Sequence, residues 1–223
     1  MLSDKSCQAK VNILAFGDSN TWGYQPNTGL RYARDKRWPS LLDSLLGPNF
    51  HVIENGLNGR TTRLDEVGRP DRNGLKLLPS ALEMSSPLDI VIVMLGTNDL
   101  KPEFSQSCED IGVSIGHICR SIKRHQSIGD NCKIILVSPT LVISDIGGGM
   151  SKGLASCFAR SGQFSQVYQN VAEQLNIEYF DAASVVHTED TPDSDGVHWQ
   201  AYQHCDFAKA LCLYIQGLRL DAK

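Results

Sequence analysis

Four short polar stretches of the chain hold the residue types that acyl transfer from an ester requires. They are Gly17-Asp18-Ser19-Asn20, Asn55-Gly56-Leu57-Asn58-Gly59-Arg60-Thr61-Thr62, Gly96-Thr97-Asn98-Asp99 and Asp195-Gly196-Val197-His198-Trp199. That chemistry needs a hydroxyl activated by a base, a group orienting the base, and donors for the developing oxyanion. Ser19 can be the nucleophile and His198 the base, with Asp195 three residues earlier able to accept from the second imidazole nitrogen. Backbone N–H groups near Ser19 and at Gly59, together with the Asn98 amide, can serve as donors. Each stretch also has an ordinary reading. GDSN and NGLNG are common turn vocabulary, Asp-x-x-His arises by chance, and Asn98 or Asp99 could simply cap a helix. It is their joint occurrence in this order, each after an apolar run, that points to a site.

The elements that would position them follow from the apolar pattern. Strands are expected at Val11–Phe16, His51–Glu54, Leu88–Leu95, Lys133–Ser138 and Ile177–Phe180. Leu88–Leu95 is almost continuously apolar, as a strand buried on both faces should be. Helical stripes lie between them: Ile111, Ile115, Ile118 and Ile122; Phe164, Val167, Tyr168, Val171 and Leu175; and Phe207, Leu211, Tyr214, Ile215 and Leu218. Trp38–Leu46 and Leu75–Met84 predict shorter helices, the second with Pro79 blurring its boundary. Strands alternating with helices predict an α/β fold, a parallel sheet covered on both faces, with reactive groups at the carboxyl ends of its strands. A single domain over residues 1–223 is expected, and Gly147-Gly148-Gly149 suggests a loop after the fourth strand.

Composition narrows the function classes. With 223 residues, 41% hydrophobic and 21% charged, the chain reads as a globular protein. A net charge of −4 gives no reason to expect a nucleic acid or an anionic membrane as partner, and the basic residues from Arg31 to Arg37 read as solvated surface. No run reaches the roughly 18 apolar residues of a membrane span, and the polar start MLSDKSCQAK suggests a cytoplasmic protein. Seven scattered cysteines without CxxC spacing argue against a disulfide framework or a zinc site, so neither metal nor cofactor is expected.

The stretches FGDSNTWGY, VIENGLNGRTT, NGLKLLPSAL, DIVIVMLGTNDLK and DGVHW resemble the SGNH hydrolases, also called the GDSL esterase/lipase superfamily. The likeness is strongest to its arylesterase/acyltransferase branch. It implies a three-layer α/β/α, flavodoxin-like sandwich around a five-stranded parallel sheet. It also implies Ser19, Asp195 and His198 as the catalytic triad, and the Ser19 N–H, the Gly59 N–H and the Asn98 amide as the oxyanion hole. Asn20 stands where the superfamily name has Leu, and Trp199 follows the histidine. The expected substrate is a small-molecule ester, with a short acyl group and transfer to alcohols as an added capacity; the resemblance further implies a homo-oligomer. Trp22, Tyr24, Trp38 and Trp199 are candidate pocket walls, while Arg60 and Lys101 could contact a leaving group or a neighbouring subunit. A carbohydrate O-deacetylase fits the same residues, whereas a non-catalytic binding module that keeps the fold would lack a triad or oxyanion member, and here all five are present.

Overall fold

The five residues Ile90–Met94 are all buried and form the central strand, β3, of a five-stranded sheet. In the computed structural model, which describes residues 10–129, 131–143, 158–188 and 193–218, β1 (Val11–Gly17), β2 (Phe50–Gly56), β4 (Lys133–Ser138) and β5 (Glu178–Asp181) complete that sheet. The spatial order is β2-β1-β3-β4-β5 with every pairing parallel. This is the doubly wound, flavodoxin-like order, in which ligands bind beyond the carboxyl ends of the strands where the winding reverses. Gly17 pairs with both Gly56 and Met94, so the first three strands end level with one another.

Alternation along the strands sends apolar side chains to two cores. Leu14, Phe16, Val91, Val93 and Leu136 meet α3 (Gly74–Ser85), α4 (Cys108–Arg124) and α5 (Phe164–Leu175) on one face. Ile13, Ala15, Ile92 and Val137 meet α2 (Trp38–Leu46) and α6 (Ala201–Gly217) on the other. The isoleucine stripe of α4 is fully buried, and the helix starts at a capping box in which Ser107 and Asp110 satisfy each other's backbone donors. The helix α3 runs through Pro79, which forgoes a single intrahelical bond. The five strands, and the helices expected at Trp38–Leu46 and Leu75–Met84, agree with the apolar pattern to within two residues at each end, while α4 and α6 begin three and six residues before the first apolar residue of their stripes. Gly147-Gly148-Gly149 lies outside the described residues. Cys108, Cys119 and Cys212 are buried and unpaired, and burial pushes the Cys108 and Cys119 thiols up to about 12. No helix among the described residues is long and apolar enough to cross a membrane.

Candidate active site

Ser19 opens α1 (Ser19–Trp22), the single helical turn that leaves β1. Asp18 caps this turn by accepting from the Asn20 N–H at 3.0 Å, and Gly23 ends it in the left-handed conformation. The turn lies flat on the end of β2, where a side chain on Gly56 would collide with the Trp22 backbone. Ser19 is thereby held at the sheet edge, nearly buried at 6% exposure.

The segment before α6 brings the imidazole to it. His198 Nε2 lies 2.9 Å from Ser19 Oγ, and His198 Nδ1 lies 2.7 Å from Asp195 Oδ2. The other Asp195 oxygen accepts the backbone N–H groups of His198 at 2.8 Å and Val197 at 3.1 Å, so the carboxylate orients the ring and folds its own loop. Burial opposes the charge on Asp195. The His198 hydrogen bond and charge, with the two N–H groups, outweigh it and hold the carboxyl below the usual range. Asn20 ties the two stretches together: its amide donates to the Val197 carbonyl at 3.1 Å, and its oxygen accepts the Trp199 N–H at 3.0 Å.

The second and third stretches face this row from the other side. Asn98 Nδ2 donates to the Arg60 carbonyl at 3.1 Å, which fixes the amide plane and leaves its second hydrogen free. Gly59 has φ +80°, a conformation that turns its peptide towards the cleft and that a side chain would strain. Among the described residues, neither the Ser19 nor the Gly59 N–H has a hydrogen-bond partner. Two buried groups lock the loop in place. Asp99 accepts the Thr62 N–H at 2.9 Å and the Thr62 hydroxyl at 2.5 Å, and Arg60 donates to the Gly17 carbonyl at 2.8 Å while its guanidinium covers the Phe16 ring. Burial raises the Asp99 carboxyl to about 7 and that of Asp18 to about 6. A cleft of about 430 Å³ opens over Ser19, His198, Gly59 and Asn98.

This geometry coincides with a sequence match over residues 15–204 to the GDSL-like lipase/acylhydrolase family. The chain belongs to that family. As a GDSL-like acylhydrolase it is a carboxylic ester hydrolase. It is similar in structure to the aryl esterase of M. smegmatis, at 32% identity and TM-score 0.86, over 94% of this chain and 100% of that one. It is similar also to Est24, a carbohydrate acetylesterase from Sinorhizobium meliloti, at 31% identity and TM-score 0.85, with 94% and 100% covered. A lipase/acylhydrolase from Enterococcus faecalis shares the fold at 19% identity and TM-score 0.66, over 96% of this chain and 98% of that one. No curated protein sequence matches the chain significantly.

In this acylhydrolase not every residue anticipated from the sequence lies where expected. Tyr24 does line the cleft, its ring centroid 4.1 Å from that of His198. Trp199 does not. It is fully buried against Phe207 and His204, with its indole N–H donated to Thr140 at 3.0 Å, because its neighbour His198 must face the opposite way to reach Ser19. Trp22 stands behind Tyr24 under the Arg31 guanidinium and is not part of the lining, and Trp38 is core. Arg60 is a buried tether that cannot meet a leaving group. Arg37 is not solvated surface either: it grips the half-buried Glu54 together with Arg31 and Ser40, which holds the Tyr24 loop down. Lys101 lines the cleft, joined there by Asn58, Arg69, Arg72 and Val197. The two arginines lie between the recognisable stretches that end at Thr62 and begin at Asn73, and nothing in residues 63–72 marked them beforehand.

Proposed function

We propose that the protein hydrolyses small carboxylic esters through an acyl-enzyme on Ser19. The observation that carries this reading is the continuous row Ser19 Oγ, His198, Asp195, with separations of 2.9 and 2.7 Å, at the floor of the cleft. His198 Nε2 takes the Ser19 proton as Oγ bonds to the ester carbonyl carbon. The carbonyl oxygen becomes an oxyanion facing the N–H groups of Ser19 and Gly59 and the Asn98 amide. His198 returns the proton to the departing alkoxide as the ester C–O bond breaks. It then draws a proton from water, or from a second alcohol, which attacks the acyl carbon and releases Ser19.

The small cleft favours short acyl groups, acetyl foremost. On the alcohol side we propose aryl and alkyl esters, with acetylated sugars as the second reading. The aryl esterase and the carbohydrate acetylesterase resemble this chain almost equally, which supports both. Acyl transfer is the expected companion activity wherever an alcohol outcompetes water in this cleft. The test is a series of 4-nitrophenyl esters of rising chain length, run beside an acetylated oligosaccharide, on the parent and on Ser19→Ala. Activity should be highest on acetate, vanish in the variant, and coincide with a phosphonate mass adduct on Ser19. Esterase activity that survives in Ser19→Ala refutes the assignment.

A further inference from the structure

The cleft carries a charge pattern that hydrolysis of a neutral ester does not call for. Arg69, Arg72 and Lys101 line it, and no acidic side chain does so among the described residues, although the chain as a whole carries a net charge of −4. The balancing carboxylates sit outside the lining and are too few. Glu66 is shared, meeting Lys101 at 2.9 Å and Arg69 at 3.5 Å. Among the described residues Arg72 pairs only with its neighbour Asp71, whose side chain is 66% exposed, while that of Arg72 is 21% exposed. The Arg72 Nε is a buried donor without a partner among the described residues. Arg69 donates to the Asn58 carbonyl at 2.9 Å, and its guanidinium lies 2.6 Å from where a Cβ on Gly59 would be, directly beside the Gly59 peptide that faces Ser19. Keeping guanidinium and ammonium groups partly desolvated is costly unless an anion joins them.

Resting on the esterase reading above, we propose that the cleft selects esters bearing a free carboxylate, which Arg69, Arg72 and Lys101 receive within a few ångströms of the scissile bond. The planar fork of a guanidinium matches a carboxylate bidentately, and Glu66 already shows that Arg69 and Lys101 can share one. Hydrogen bonds to charged groups are worth about tenfold or more in binding.

Two matched pairs of esters test this. One pair is 4-acetoxybenzoate and its methyl ester, which places the carboxylate on the alcohol. The other is the 4-nitrophenyl half-ester of succinic acid and 4-nitrophenyl butyrate, which places it on the acyl group. The quantity read is the ratio of kcat/KM, anionic over neutral, in the parent, Arg72→Gln and Lys101→Gln. In at least one pair the ratio should fall about tenfold in each variant, and that pair locates the carboxylate. Ratios unchanged in both variants for both pairs overturn the proposal while leaving the esterase reading intact, since the neutral esters report that reading independently. Absence of turnover on every ester overturns both.

Discussion

Replacing Asn98 with alanine separates a donor to the transition state from a mere loop tether, because the residue has both opportunities. Its amide makes one bond in the resting protein, 3.1 Å to the Arg60 carbonyl, and offers its second hydrogen towards the space beside Ser19. The resting bond is one net hydrogen bond, worth about 1 kcal/mol, which for a chain of this size moves Tm by roughly 2–4 °C. The transition-state bond is larger, because a donor preorganised in a water-poor site acts on a charge that exists only during reaction. Loss of one such donor costs about 2.7–4 kcal/mol, or roughly 100- to 1000-fold in kcat. The assay is initial-rate hydrolysis of 4-nitrophenyl acetate alongside a thermal melt. Asn98→Ala should melt within a few degrees of the parent, with KM little changed and kcat reduced about 100-fold or more. A reduction of less than about tenfold in a protein that melts normally would refute the oxyanion role and leave Asn98 as the tether alone.

Other substitutions probe the rest of the frame. His198→Ala should cost more kcat than Asp195→Asn, since Asp195 orients and stabilises the imidazole without itself reacting; equal losses would contradict that division. Asn20→Ala removes both bonds between the Ser19 turn and the His198 loop, so kcat should fall about tenfold with labelling of Ser19 by a phosphonate slowed in parallel; unchanged labelling kinetics would show that the loop holds itself. His204 is buried beside Trp199 with neither ring nitrogen partnered among the described residues, and burial, then the nearby His198 and Arg37, lower its pKa to about 3. The unfolded chain protonates this residue near 6.5 while the folded one does not, so stability is lost as pH falls from about 6.5 towards 3. Between pH 6.5 and 5.0 the loss reaches at most about 2 kcal/mol. Burial-raised Asp18 and Asp99 act in the opposite sense, favouring the fold as pH falls, and do so in parent and variant alike. His204→Phe should therefore lose less Tm than the parent across that interval, and parallel pH slopes would refute the argument.

Which parts of this molecule could be read from the chain depends on how far apart in sequence the interacting groups lie. The sheet was readable because each strand announces itself within a few residues: Ile90–Met94 is apolar without interruption, and alternation in β1 divides Ile13 and Ala15 from Leu14 and Phe16 before any partner is known. The four polar stretches were readable because each reacting or donating residue has its local device beside it, Asp18 capping the Ser19 turn and Asp195 folding the loop that carries His198. Aromatic residues were the poorest guides, since their size suits a wall and a core equally; only the sidedness of the loop decides, sending His198 into the cleft and Trp199 beneath it. The departure Asn20 for Leu meant nothing as a local feature, because its partners Val197 and Trp199 lie 177 and 179 residues away. The same limit hid the charge of the cleft. Arg69 and Arg72 sit in an undistinguished polar run after β2, and they become part of a site only because Asp99 draws Thr62, and the chain that follows it, against the turn after β3. Catalytic groups in such a fold are thus written locally at strand ends. The charged groups of the cleft come instead from the segments that follow β2 and β3, and in this chain the buried Asp99 carboxylate joins the two.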